Sequence, residues 1–120
     1  MMNELPFEQQ LYRTFCESKR ESLRLDAALE GFFLDIPQPS DIKDEYLHYL
    51  TRRIRAAMER LISENNIEKM QLLESLGCFG EKELPHFIEI ARKSEKLPAL
   101  MWLLQLKDQK YHYAQRDFSL

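Results

Sequence analysis

The chain has 120 residues, of which 44% are hydrophobic and 31% charged, and its formal net charge is −3. This length is typical of one globular domain that buries its own core. The negative charge argues against a general attraction to nucleic acid or anionic membranes, because both bind basic surfaces. Only three glycines occur, and long stretches of Leu, Glu, Lys and Arg favour helices. We therefore expect a single all-α domain over residues 1–120.

The sequence contains no recognisable targeting or membrane signal. Residues 1–6 lack a basic segment followed by an apolar run, and no window approaches the roughly eighteen apolar residues of a membrane span. Cys16 and Cys78 have apolar neighbours and no Cys or His at metal-ligand spacing, which predicts buried, reduced thiols. We expect a soluble cytoplasmic protein without a cofactor or metal.

An N-terminal helical hairpin is predicted for residues 1–36. Its first apolar stripe has four-residue spacing and comprises Phe7, Leu11 and Phe15. The stripe thins near residues 18–22 and resumes at Leu25, which leaves two helices or one long bent helix, with two favoured. Two prolines within residues 35–39 then end the helical region, because a residue before proline disfavours helical geometry.

Two further hairpins are predicted, at 41–77 and 81–111, followed by a tail at 112–120. Ser40 or Asp41 is placed to cap a long helix of about five turns. Its apolar residues are Ile42, Tyr46, Leu50, Ile54, Met58 and Leu61. Asn65 and Glu68 have the spacing of a capping box, and Gly77 stands where a left-handed C-cap is needed. Helices are also expected from Pro85 and from Leu97-Pro98, for five or six helices in total.

The two hairpins repeat at an offset of thirty residues. In the second helices the offset pairs Ile67 with Leu97, Met70 with Leu100, Leu73 with Leu103 and Leu76 with Leu106. In the first helices it pairs Ile54 with Leu84, Ala57 with Phe87, Met58 with Ile88 and Leu61 with Ala91. A short hairpin cannot bury both of its faces alone, so the pattern predicts hairpins stacked on one core. The alternative is coincidental alignment of amphipathic helices.

Residues 90–104 resemble the two-helix portion of an ankyrin repeat, and residues 84–87, Leu-Pro-His-Phe, stand where that family has Thr-Pro-Leu-His. The threonine is absent, Ser94 or Glu95 replaces the turn glycine, and the period is thirty rather than about thirty-three. Residues 54–106 are therefore similar to divergent ankyrin-like or HEAT-like hairpins. The resemblance implies protein–protein interaction.

Motifs for nucleic-acid binding, metal binding or catalysis are weakly represented in the sequence. Residues 73–80 resemble the turn of a DNA-binding helix-turn-helix, but the next segment, 81–86, has acids and a proline where phosphate contacts are needed. The basic run Arg52–Arg60 flanks the apolar stripe, which favours a solvated helix flank over a nucleic-acid surface. The histidines, His48, His86 and His112, have no metal-ligand or catalytic pattern.

The sequence thus predicts a non-enzymatic protein-interaction or adaptor module, with another protein as partner, nucleic acid unlikely as a partner, no membrane, and no catalytic, cofactor-binding or metal-binding residues. The predicted partner-binding surface comprises Arg52, Arg55, Glu59, Lys82 and Glu89. The alternative is a nucleic-acid-associated or transcriptional regulator that uses Arg52–Arg60. Trp102 is predicted to be core, and the tail is predicted to be either an end cap or a docking segment.

Overall fold

The computed structural model describes residues 5–111, and within that range the chain is entirely helical. The helices are α1 (Phe7–Glu17), α2 (Glu21–Phe32), α3 (Ser40–Arg52), α4 (Ile54–Ser63), α5 (Ile67–Ser75), α6 (Leu84–Lys93) and α7 (Leu97–Lys110). The all-α prediction is confirmed, whereas the predicted number of helices is too small. None of these helices has the length and apolarity needed to cross a membrane. The chain divides into two compact units, Met1–Ala57 and Met58–Leu120.

The additional helix arises from a break at Arg53, where the apolar rhythm predicts one unbroken helix. The Thr51 hydroxyl donates to the Leu47 carbonyl at 2.8 Å, a contact that bends helices. Arg53 has φ −111° and ψ 34°, although its N–H still donates to the Tyr49 carbonyl at 2.9 Å. The prediction of one five-turn helix is wrong, because apolar spacing does not report a local bend of this kind.

The start of α3 also differs from its prediction. Pro39 occupies the N-cap position and no side chain caps the helix. The Asp41 carboxylate instead accepts the N–H of its neighbour Ile42 at 3.0 Å. A proline carbonyl is sufficient here, since it accepts the N–H groups of Ile42 and Lys43.

In the first unit, α2 packs against both α1 and α3. Extended backbone at Ser18 and Arg20 separates α1 from α2, so this segment forms two helices. The Phe15 ring lies edge-on to two tyrosines of α3, with its centroid 5.1 Å from that of Tyr46 and 5.1 Å from that of Tyr49. Edge-to-face aromatic packing therefore joins α1 to α3 across the core.

Close contact between α2 and α3 depends on Gly31. A Cβ atom built on Gly31 would lie 2.5 Å from Cζ of Tyr46, well inside van der Waals contact. Tyr46 is fully buried, and within the described part of the chain its hydroxyl has no hydrogen-bond partner. The large ring thus fits only because residue 31 has no side chain.

In the second unit, α6 packs against α7, and α5 also contacts α7. The core consists mainly of fully buried apolar residues: Met58, Ile62, Met70, Leu73, Phe87, Ala91, Ala99 and Leu103. Phe79, in the connection before α6, packs edge-on against Phe87 with ring centroids 5.1 Å apart. The connection between α5 and α6 therefore contributes to the core as well as joining helices.

The helices α4, α5 and α6 end in the same kind of turn. Each turn has one left-handed residue: Asn65 at φ 52°, Gly77 at φ 82° and Glu95 at φ 58°. In each, the next N–H donates back to a carbonyl near the helix end: Asn66 to Leu61, Cys78 to Leu73 and Lys96 to Ala91. These bonds define the Schellman motif, which favours glycine at the left-handed position. The C-cap prediction for Gly77 is confirmed.

The predicted capping box at Asn65 is wrong by one residue. Asn66 is the N-cap of α5, and its side chain accepts the Lys69 N–H at 3.3 Å. The Asn65 side chain instead accepts the N–H of Ala99 at 3.0 Å. Sequence spacing missed this bond because its two partners are 34 positions apart.

Local structure recurs at the thirty-residue offset. The starts of α4 and α6 are thirty residues apart, as are those of α5 and α7, and Asn65 and Glu95 adopt the same left-handed conformation. The paired apolar residues of α4 and α6 are all buried. The second helices match less closely, since Leu73 and Leu103 are both buried while Leu97 is exposed. The ankyrin-like or HEAT-like relationship itself stays a prediction.

We expect Gly31→Ala to destabilise the protein by about 2–3 kcal/mol, because the new methyl group overlaps the Tyr46 ring. Tyr46→Phe is the matched variant, and removing a buried hydroxyl without a partner should be neutral or stabilising by about 1 kcal/mol. Urea unfolding monitored by circular dichroism measures both. A Tyr46→Phe loss above about 1 kcal/mol would show that the hydroxyl has a bonding role.

Glu95→Gly should stabilise the protein by about 0.5–1 kcal/mol, because glycine adopts the left-handed conformation without a Cβ clash. Asn65→Gly is the comparison: asparagine tolerates this conformation better, and its loss removes the cap on Ala99, which costs about 1 kcal/mol. Thermal melts should therefore move in opposite directions. Equal stabilisation by both variants would contradict a contribution from the Asn65 cap.

Candidate interaction surfaces

The last helix, α7, is apolar on two opposite sides. Ala99 and Leu103 are fully buried on one side. The other side carries three exposed apolar residues at i, i+4, i+7 spacing, which we call the outer row of α7: Leu97 (63% exposed), Met101 (64%) and Leu104 (38%). A surface helix of a globular protein normally has one apolar stripe facing its core. The second stripe is therefore a candidate contact surface for another molecule.

The buried side of α7 is joined to α5 at both ends of the two helices. Asn65, just before α5, accepts the N–H of Ala99 in the first turn of α7. Glu74, in the last turn of α5, accepts hydrogen bonds from the Lys110 ammonium group and, at 3.2 Å, from the Tyr111 hydroxyl. Because start meets start and end meets end, α5 and α7 run parallel. The buried Glu74 carboxylate raises the pKa of Lys110 through this hydrogen bond.

The α5 helix also has exposed apolar residues. Leu72 is 43% exposed and Leu76 47% exposed, and their four-residue spacing places them on one side of the helix. We call this pair the α5 row. At the thirty-residue offset, Leu72 and Leu76 correspond to Trp102 and Leu106, which are half-buried on α7. The prediction that Trp102 is a core residue therefore describes only part of its surface.

The five charged residues of the predicted partner-binding surface are all exposed: Arg52, Arg55, Glu59, Lys82 and Glu89. Glu89 forms ion pairs with Arg92 at 3.3 Å and with Lys93 at 3.6 Å. It also lines a groove of about 400 Å³ between α6 and the end of α7, together with Ile88 and Lys107.

The basic run Arg52–Arg60 does not present all of its charges freely. Arg53 pairs with the Glu21 carboxylate at 3.1 Å, and its guanidinium carbon lies 5.9 Å from the Tyr49 ring centroid. The side chain of Arg53 therefore helps to hold α2 against α3. The pairing of Arg53 with Glu21 reduces the positive charge that the basic run could offer to phosphate groups.

Glu21 is the centre of a polar cluster between α2 and α3. Its carboxylate accepts the Tyr49 hydroxyl and pairs with Arg53 and, at 3.8 Å, with Arg24. Arg24 lies 5.2 Å from the Tyr49 ring centroid and donates to the Phe15 carbonyl at 3.0 Å. The Tyr49 hydrogen bond, followed by the two arginines, lowers the pKa of Glu21 despite opposing desolvation. Burial and the Glu21 carboxylate raise the pKa of Tyr49 to about 12, so neither group is poised for proton transfer near neutral pH.

A second groove, of about 540 Å³, lies beside α1 and is lined by residues that include Tyr12, Cys16, Pro37 and Ile42. Cys78 is buried as predicted, but Cys16 is exposed, so the prediction of two buried thiols is wrong for Cys16. Cys16 follows Phe15 on α1 and projects in a different direction from the buried Phe15 ring. An apolar neighbour in the sequence therefore does not indicate burial.

Among residues 5–111, no group of three or more His, Cys, Asp or Glu side chains is arranged to hold a metal ion. The tail predicted at 112–120 lies outside the described residues. No protein family model, curated protein or solved structure matches this chain.

The outer row of α7 was not predicted from the sequence, because Leu97 was assigned to the apolar stripe of the thirty-residue repeat. The sequence signal for a second apolar side is Met101, because on a helical wheel it lies opposite the buried Leu103. Burial, which depends on which neighbour reaches each side, then assigns one stripe to the core and leaves the other exposed.

Protein stability should fall at acid pH as Glu21 is protonated. A carboxylate whose folded-state pKa is lowered contributes stability that is complete above its unfolded pKa of about 4.3 and is lost as the pH falls through the folded value. Glu21→Gln should therefore be less stable than the parent at pH 7, with the difference shrinking at acid pH. Tyr49→Phe, which removes the main cause of the shift, should reduce the acid dependence. Urea unfolding across this pH range measures the effect, and a pH-independent difference for Glu21→Gln would contradict it.

Proposed function

We propose that this chain is a non-enzymatic protein-interaction module whose docking surface is the outer row of α7. The observation that carries the proposal is the exposure of Leu97, Met101 and Leu104 on one face of a helix whose opposite face is buried. Burial of such apolar area provides most of the driving force for protein association. Its linear arrangement fits the apolar face of a partner helix, which packs through residues at three- and four-residue spacing.

The flanks of the outer row support docking at a limited, specific site. Gln105, Lys107 and Asp108 are exposed beside or beyond it on α7. A polar rim around an apolar centre is the usual composition of a protein interface. The predicted surface residues Glu59, Lys82 and Glu89 belong to the same compact unit, and we propose them as secondary charged contacts that influence partner choice and association rate.

The competing proposal, a nucleic-acid-associated regulator that uses Arg52–Arg60, has less support. The chain carries a net charge of −3, and Arg53 is committed to Glu21 and Tyr49. Duplex binding through several arginines would require a concentrated basic surface. Arg52 and Arg55 are exposed and are the residues through which this competing function would act.

Met101→Glu should weaken binding of a protein partner by about 30-fold or more, because it places a charge at the centre of the apolar docking surface. Gln109→Glu adds the same charge to the same helix at an exposed position outside the outer row, and should leave binding unchanged. The measurement is retention of partner from nuclease-treated lysate by immobilised parent and variants at moderate salt, followed by titration of the retained protein.

Two results would contradict the proposed function. One is equal retention by the parent and Met101→Glu. The other is binding to duplex DNA that weakens steeply with salt and is lost in Arg52→Ala, which would favour the regulator instead.

A further inference from the structure

We infer that the partner that fits the outer row of α7 is the α5 row of a second copy of this chain, so that copies associate head to tail. This inference rests on the proposed function and names its partner. It follows from the α5–α7 interface already present in the second unit, combined with the thirty-residue offset that relates the two helices.

The first step concerns which side of α5 faces α7. Glu74 marks that side, because its carboxylate bonds to Lys110 and Tyr111 at the end of α7. The residues of α5 that share a helix side with Glu74 are Ile67, Met70 and Gln71, seven, four and three positions earlier; Met70 is buried and Gln71 is exposed. A shift of thirty residues converts Ile67, Gln71 and Glu74 into the outer row of α7, and Met70 into the half-buried Leu100. The side of α5 that faces α7 therefore corresponds, at the thirty-residue offset, to the exposed side of α7.

The second step concerns which side of α7 faces α5. Lys110 marks that side, and Leu106 and Trp102 lie one and two turns earlier in the same row. A shift of thirty residues converts them into Leu76 and Leu72, which form the exposed α5 row. The two sides of the internal α5–α7 interface thus correspond to two exposed surfaces of the same chain, the outer row of α7 and the α5 row.

The third step concerns register. Within the chain, facing residues are 34 positions apart at Asn65 and Ala99 and 36 positions apart at Glu74 and Lys110. Between copies, α7 of the first copy takes the place of α5, and α5 of the second copy takes the place of α7. Each helix is then shifted by thirty residues, so Leu97 lies opposite Leu72 and Met101 opposite Leu76 of the second copy. Every exposed large apolar side chain on these two rows except Leu104 then meets another.

Charge supports the same register. Asn65 contacts the backbone of Ala99 within the chain, and the thirty-residue shift places Glu95 beside Lys69 of the second copy. The exposed Glu95 carboxylate then lies near an ammonium group of opposite charge. Electrostatic complementarity of this kind fixes orientation more than it adds affinity. Because the two surfaces differ, the contact is heterologous, and repeated association forms a ring or a filament.

The test uses purified full-length chain and sedimentation velocity over a wide concentration range. The parent should show a mass that rises with concentration past that of a dimer, whereas Met101→Glu and Leu72→Glu should each remain monomeric. An equimolar mixture of these two variants should form a dimer that grows no further, since one intact pair of surfaces remains. Gln109→Glu should behave as the parent.

A charge exchange gives an independent reading without altering apolar residues. Glu95→Lys and Lys69→Glu should each weaken self-association by about fivefold, and the double variant should restore it, because the pair has only been reversed. Circular dichroism confirms that each variant is folded.

Several outcomes would overturn the inference. A parent that stays monomeric throughout excludes it, and if Met101→Glu still abolishes binding of another protein, the proposed function survives alone. Self-association that is lost in Met101→Glu but kept in Leu72→Glu indicates symmetric pairing of α7 with α7, which also excludes the head-to-tail arrangement. A mixture of the two variants that stays monomeric excludes it as well.

Discussion

The helices from Ile54 onward are short, from nine residues in α5 to fourteen in α7, and isolated helices of this length are marginal in water. Their stability must come from packing against neighbours. The bond from Asn65 to Ala99 and the contacts of Glu74 with Lys110 and Tyr111 hold α5 beside α7 at both ends. Lateral packing of short helices is thus the constraint on which the second unit depends, and it is also what leaves a second side of α7 exposed.

The first unit solves its packing differently. Its helices meet through one large ring, Tyr46, accommodated by the absence of a side chain at Gly31, and through Phe15 packed edge-on against two tyrosines. At the rim of this core, Glu21 binds Tyr49 and two arginines. These charged groups stabilise the packing of the helices. In the first unit, Glu21, Arg24 and Arg53 are therefore paired with one another and are less available to an external partner than their sequence indicates.

Sequence patterns predicted some elements for sound physical reasons and failed at others. Prolines and apolar periodicity located the C-terminal end of α2 and the starts of α6 and α7, because those signals act within one turn of helix. The break at Arg53 and the shift from Asn65 to Asn66 as N-cap were missed. Both depend on which of several competing local hydrogen bonds forms, and residue spacing alone does not rank such competitors.

What the sequence by itself determined is the all-α class, the thirty-residue correspondence and the set of residues apolar enough to be buried. These follow from composition and periodicity, which are properties of the chain before it folds. Only tertiary structure decided which side of α7 is covered, that Cys16 is exposed, and that Asn65 bonds to a helix 34 positions away. Each of these outcomes depends on which distant segment arrives against a given side, and an apolar stripe carries the same signal whether or not a neighbour covers it.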